Sequence, residues 1–530
     1  MTNPITVRQN PSRLRSLLTS QKFILLMLAF AAMLPTLMIW NRASYATGDS
    51  YMFMRAGLNV VRGRGFTGMD GGFMYVQDRP LYPIAIGLAS FVTSHIETAA
   101  RLISLFGATL AVLAFYWLVR RRHSQTMAIF AAIVFAFLPL RVWSGQWILT
   151  DGLALGLAMS GLAVLFAYEN PSRANAIVAG CLLGLAYLTR SEALIFVAGG
   201  FVYLLVFSAS RGLKNRLLVS SLLVIGFALV ALPHHLWLYK QLGTFSPHRF
   251  VDNLKAAEAL YQGWSMPFDV HFDESSGKFA KAVPNLTLVA ILRRYVFFAK
   301  QEIARLVYLP GPLILILIPC VIGGVRFLLG LARRRIDAFW QALLLLPLLV
   351  LPLLRIEDRY LLSALPVLCL WMVDGAVTIG KFLNKQLQRL PRLTFVTPTG
   401  VAAIFLVLLL GGYAHRLTTL LPTRDYTLLP KQAASWMQAT HLPEGRIIAQ
   451  EPALAFYNAS IQVWLPYGPL DRVLSYARQQ HARYVFVSPN DASNPLKDRL
   501  LADTELPRGL LLLQSFQTED GSAKLLELVP

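Results

Sequence analysis

The residues able to do chemistry stand in separate places along the chain: Asp49, the pair Asp78 and Arg79, Asp151, Arg190 with Glu192, and the run Arg355-Ile356-Glu357-Asp358-Arg359-Tyr360. Each adjoins a long apolar segment, where an ionisable side chain is costly and is a functional-site candidate by default. A carboxylate takes the proton of an attacking hydroxyl, and a guanidinium holds a phosphate. Gathered in one water-filled cavity, these types point to group transfer involving a phosphate. Plainer readings stand beside that one. Asp49 and Asp151 suit helix caps, Arg190 and Glu192 can pair within their turn, and Arg355 to Arg359 suit interfacial anchoring. His234 and His235 have no carboxylate or third histidine nearby in sequence, so they read as an interfacial pair and not as a metal site.

The elements that must position these groups are membrane helices. The chain has 530 residues, 55% hydrophobic and 15% charged, with a mean hydropathy of +0.52, which excludes a soluble globular or a disordered protein. Apolar runs of bilayer-crossing length recur from Phe23 to about Leu417 and then stop, so the fold class is an α-helical polytopic membrane protein followed by a small C-terminal α/β domain. The expected organisation is an N-terminal segment 1–22, a membrane domain 23–419 with long outer loops 42–100 and 239–308, and a soluble domain 420–530.

Basic residues collect between the runs, at Arg120-Arg121-Arg122, Arg211 to Arg216, Arg333-Arg334-Arg335 and Lys381 to Arg392. Because Lys and Arg stay preferentially on the cytoplasmic side, this spacing predicts about eleven spans, with the N-terminus inside and the C-terminal domain outside. All the candidate residues then fall at outer ends of spans. Residues 420–530 contribute −1 to the formal net charge of +21, so residues 1–419 carry +22 as a topology signal. No basic face interleaved with aromatics is present, which speaks against a nucleic-acid partner. Cys181, Cys320 and Cys369 lie in apolar runs, so no disulfide framework, zinc spacing or cysteine mechanism is offered. Neither a phosphate-binding glycine loop nor a dinucleotide fingerprint occurs. The run Phe23 to Trp40 is too long for a signal peptide and reads as a retained first helix.

In the C-terminal domain, Arg446–Ala449, Val463–Leu465, Tyr484–Val487 and Leu525–Leu528 read as strands, with helices at Lys431–Thr440 and Leu470–His481. Glu451, Asp471 and Arg472 read as solvated surface.

Several of these segments resemble a known family. Thr47-Gly48-Asp49-Ser50-Tyr51 followed by Asp78-Arg79-Pro80-Leu81-Tyr82-Pro83 is similar to the first outer loop of the GT-C glycosyltransferases, in the subgroup of protein O-mannosyltransferases and the lipid A aminoarabinose transferase. Trp147 to Asp151, Gly184 to Glu192 and Asp358 to Leu362 extend the resemblance over roughly residues 20 to 380. It implies a polyprenyl-phosphate-linked sugar donor and inverting transfer to a glycan, lipid or protein acceptor on the outer face of the cell membrane, the inner membrane in a Gram-negative cell. Asp49 then corresponds to the catalytic aspartate, with Asp151 a second catalytic candidate. Asp78, Arg79, Arg190, Glu192, Arg359 and Tyr360 are candidates for holding donor phosphate or sugar. Many relatives carry Asp-Glu where this chain has Asp49-Ser50, which removes a carboxylate able to share the base role or bind a metal; the sequence establishes no cofactor and leaves a divalent metal open without supporting one. The competing class is a transporter or lipid flippase, against which stand the outer position of the charges and the absence of a half-to-half repeat of broken spans.

Overall fold

The computed structural model describes residues 20–41, 45–69, 79–207, 212–242, 254–255, 257–258, 261, 270–273, 278–281, 286–308, 313–330, 335–353, 357–387, 397–419, 427–489, 496–501, 506–519 and 521–529. Helix α1 (Gln21–Met38) leads to α2 (Gly48–Val61) and α3 (Leu81–Ala89), both inside the expected loop 42–100. The bundle continues with α4 (Ile96–Arg122), α5 (Gln125–Phe137), α6 (Pro139–Gln146), α7 (Asp151–Phe166), α8 (Arg173–Tyr187), α9 (Ala193–Val206) and α10 (Leu213–Leu242). A hairpin of β1 (Val270–Asp273) and β2 (Lys278–Lys281) precedes α11 (Leu288–Tyr308). Then come α12 (Leu313–Gly330), α13 (Arg335–Val350), the 3-10 turns Leu351–Leu353 and Asp358–Ser363, α14 (Leu365–Leu387) and α15 (Pro398–Thr419).

Every segment read as a span holds a helix. Among the described residues, five helices are long and apolar enough to cross a membrane, or six if α5 and α6, bent by 61°, form one span; α7, α8, α9 and the apolar parts of α12 and α15 are shorter. The bend has a local cause. Pro139 opens α6 without an N–H, and Leu138 before it is extended. Close packing depends on small residues: a β-carbon on Gly107 of α4 or Gly156 of α7 would strike the backbone of the facing helix. That contact brings α4 and α7 together and fixes the depth of Asp151 at the start of α7.

The C-terminal domain holds α16 (Leu428–Ala439), β3 (Arg446–Ala449), α17 (Ala453–Tyr457), β4 (Gln462–Trp464), α18 (Leu470–Gln479), β5 (Ala482–Val487), α19 (Leu496–Leu501), β6 (Leu510–Thr518) and β7 (Gly521–Leu528). Its sheet runs β4-β3-β5-β7-β6, with β3 parallel to β4 and β5, and β7 antiparallel to β5 and β6. One face is covered by Val473 and Leu474 of α18, the other by Ala433 and Met437 of α16. The strands and the two helices read from sequence are present, whereas β6 and the short α17 and α19 went unread. In β6 a continuous leucine run hides the alternation, and the register shifts between Leu512 and Gln514. Ala453 of α17 is buried in the same apolar core as the membrane helices, so the two parts of the chain share packing.

Candidate functional site

The start of α2 and the start of α7 are registered against each other by backbone. Ile148 N–H donates to Tyr45 O at 2.9 Å, and Ser50 Oγ donates to Ile148 O at 2.9 Å. Ser50 also accepts the Thr47 N–H at 2.9 Å. The serine that stands where relatives have a second carboxylate is therefore a buried cap of α2. Asp49 is not the N-cap, which is Thr47; it lies in the first turn, where the helix dipole favours its charge.

These constraints deliver Asp49 and Asp151 to one group of arginines. Arg190, in the turn before α9, donates to Asp151 Oδ1 at 2.6 Å and to Glu192 Oε1 at 2.6 Å. Arg359, in the 3-10 turn, pairs with Glu357, reaches Asp49 Oδ2 at 3.7 Å, and faces Asp151 Oδ2 at 3.9 Å. Tyr360 lies between the two guanidiniums, its ring 5.1 Å from Arg190 and 5.3 Å from Arg359. The turn is held from outside by Arg305 of α11, 3.0 Å from Asp358. Arg79 is drawn toward the same place, since Leu81 N–H donates to Leu188 O at 3.1 Å and the Arg79 charge acts on Glu192.

Asp49, Asp151, Arg190, Glu192, Arg359 and Tyr360 thus form one cluster, with Arg79 at its edge. Asp78 and Arg355 lie outside the described residues. Asp471 and Arg472 are exposed, with their nearest charged atoms 3.7 Å apart. Glu451 departs from its reading as solvated surface: a β-carbon on Gly48 would lie 3.4 Å from Glu451 Oε2, because the C-terminal domain sits on the start of α2. His234 stacks on Trp237 with ring centroids 5.8 Å apart. No group of three or more His, Cys, Asp or Glu suited to a metal occurs among the described residues.

The two aspartates differ in exposure, and the difference assigns what each can do. The Asp151 side chain is 4% exposed and bound to Arg190, whereas that of Asp49 is 44% exposed, so Asp49 alone of the two is open to an incoming hydroxyl. Burial would raise the Glu192 carboxyl, but the Arg190 charge and hydrogen bonds, with Arg79 beyond, hold it down at about 2. Burial would likewise lower Arg359, yet Asp151, Tyr360 and Glu357 raise it. Both arginines stay charged. They border a half-open cavity, lined also by Asp151 and Glu192, whose remaining walls are mostly apolar, from Ala154 and Ala158 of α7, Phe196 of α9 and Pro347 of α13. Guanidiniums beside apolar walls suit an amphiphile with an anionic head.

Residues 78–237 match the family model of dolichyl-phosphate-mannose-protein mannosyltransferases, a range that includes Arg79, Asp151, Arg190 and Glu192. No curated protein sequence matches the chain. Among solved structures, ArnT from Cupriavidus metallidurans bound to undecaprenyl phosphate is similar with a TM-score of 0.55 and 12% identity, over 96% of this chain and 98% of that one. The Archaeoglobus fulgidus oligosaccharyltransferase complex with zinc and sulfate is similar with a TM-score of 0.58 and 12% identity, over 87% of this chain and 67% of that one. The archaeal oligosaccharyltransferase AglB from the same organism, in complex with an inhibitory peptide and a dolichol-phosphate, gives a TM-score of 0.53 at 12% identity, over 88% and 69%. The fold is that of the GT-C membrane proteins. Residues 78–237 are thus similar to a glycosyltransferase family, and the fold as a whole is similar to that of ArnT and the archaeal oligosaccharyltransferase.

Proposed function

We propose that the chain transfers a sugar from a polyprenyl-phosphate-linked donor to an acceptor on the extracytoplasmic face, with inversion at the anomeric carbon. The observation that carries this reading is the half-exposed Asp49 carboxylate 3.7 Å from Arg359, an arginine that lines a cavity together with Arg190 and mostly apolar side chains. Asp49 takes the proton of the acceptor hydroxyl as its oxygen bonds to the anomeric carbon. The bond from that carbon to the phosphate oxygen breaks, and the polyprenyl phosphate leaves with the electron pair. Arg359 and Arg190 stabilise the charge that develops on the departing phosphate. Asp151 and Glu192 hold Arg190 in place, so Asp151 acts by positioning while Asp49 is the base. The carboxylates are turned to guanidiniums, a donor set that suits an anion better than a divalent cation.

The ArnT structure carries undecaprenyl phosphate and the AglB structure a dolichol-phosphate, which supports a lipid-linked donor here. The clustering of the candidate residues at outer span ends supports a cytoplasmic N-terminus and an extracytoplasmic C-terminal domain in the cell membrane. The test is release of sugar from a panel of radiolabelled polyprenyl-phosphate sugars by the full chain in nanodiscs. Asp49→Asn is expected to lower turnover by roughly 10²–10⁴-fold with donor binding kept. Turnover by Asp49→Asn at the wild-type rate removes the base, and failure of the wild type to bind any donor removes the lipid-phosphate reading.

A further inference from the structure

Away from the arginines, a second polar cluster joins the two parts of the chain. Its centre is Glu97, in the first turn of α4, where the helix dipole favours a carboxylate. Glu97 Oε2 accepts from Tyr45 OH at 2.5 Å and from Lys431 Nζ at 3.0 Å, and Oε1 accepts from Tyr457 OH at 2.6 Å. Tyr45 lies just before α2, while Lys431 is in α16 and Tyr457 in α17 of the C-terminal domain. The Arg101 guanidinium, one turn along α4, covers the Tyr45 ring at 4.3 Å.

Every group in this cluster bears on the turn that carries Asp49. Tyr45 is the residue whose carbonyl receives Ile148 N–H. Tyr457 meets Tyr51 edge to face at 5.7 Å, and Tyr51 is 2% exposed two residues beyond Asp49. Arg55, further along α2, donates to Ala455 O at 3.0 Å. Asp49 itself makes a long 3.7 Å contact to Arg359, so its placement depends on how α2 is held. A carboxylate satisfied by donors from three segments fixes one geometry, which an apolar contact of similar area does not.

We infer that Glu97, Lys431 and Tyr457 are positioning residues for Asp49, and that the C-terminal domain is thereby part of the catalytic apparatus. This rests on the transferase reading above. A displacement of the base by about 1 Å costs roughly a hundredfold in rate, which is the scale a loosened clamp acts on.

The test uses the full chain in nanodiscs and the variants Glu97→Gln, Tyr457→Phe and Lys431→Met, with Arg483→Met, which breaks an ion pair to Glu527 within the C-terminal sheet, as control. The readouts are turnover, donor KM, and amide hydrogen exchange in residues 48–57 and 482–487. Glu97→Gln and Tyr457→Phe are expected to lower kcat about tenfold or more while donor KM stays within about twofold, with faster exchange in 48–57 and none in 482–487. Lys431→Met, which removes the ion pair to Glu97, is expected to move the same way as Glu97→Gln, and Arg483→Met to behave as wild type. Unchanged exchange in 48–57, or faster exchange with unchanged kcat, overturns the inference. Faster exchange in a chain whose wild type transfers no sugar keeps the clamp and sinks the transferase reading, so the two fail separately.

Discussion

The two ends of α13 show buried arginine and carboxylate serving different ends. At its start, Arg122 of α4 pairs with Asp337 at 2.7 Å, with side chains 14% and 8% exposed. Near its far end, Arg359 is 17% exposed and faces three carboxylates, Asp49, Asp151 and Glu357, of which Asp151 also binds Arg190. Burial does not separate the two. Arg122 has one close acid and closes on it, as an ion pair that staples two helices. Arg359 is placed among several acids beside a cavity, so its charge is spread over them and not closed on one. An arginine at a helix end is informative only once its partners are counted.

The sharpest way to break this contrast is Arg359→Ala. It is expected to weaken polyprenyl-phosphate binding roughly a hundredfold, measured by fluorescence titration in nanodiscs; unchanged affinity would return Arg359 to the same class as Arg122. Next is Ala158→Trp, which fills the apolar wall of the cavity. Binding of long-chain prenyl phosphates is expected to fall about tenfold or more with the thermal midpoint kept, and undiminished binding would move the lipid elsewhere. A smaller effect concerns pH. The Glu192 carboxyl is depressed to about 2 in the folded chain, so its contribution to stability is present above the ordinary value of about 4.3 and is lost as pH falls from there toward 2. The thermal midpoint is expected to drop over that interval and to drop less in Glu192→Gln; identical acid profiles would argue against the pairing. The smallest effect is expected for the double change Arg122→Met with Asp337→Leu, which should leave turnover unchanged and stability within about 1 kcal/mol. A loss of turnover there would dissolve the distinction between the two ends.

Much of the arginine site was legible because its members sit next to long apolar runs, where any charge is conspicuous. Asp49, Asp151, Arg190, Glu192, Arg359 and Tyr360 all stand out on that ground, and they do meet in space. What the pattern did not carry is the division of labour between the aspartates, which depends on exposure, and the role of Ser50, which depends on a carbonyl 98 residues away. The clamp was illegible for a further reason. Lys431 and Tyr457 occur in a stretch of ordinary soluble composition, where lysine and tyrosine are unremarkable, and their partner Glu97 is 334 and 360 residues earlier. The membrane fold was readable from hydropathy, while the edge strand β6 was hidden by its leucine run.

The seating of α17 in the membrane core has a consequence in time. A ribosome finishes every helix of the bundle before it makes residues 453–457, so the catalytic turn exists as sequence long before its last supports are synthesised. During that interval the arginine cavity can form while Tyr51 and Tyr45 of the α2 turn still lack their partners Tyr457 and Lys431. A chain cut off before residue 453 lacks the packing of Ala453 and Tyr457 that the complete fold sets against the membrane helices and Tyr51.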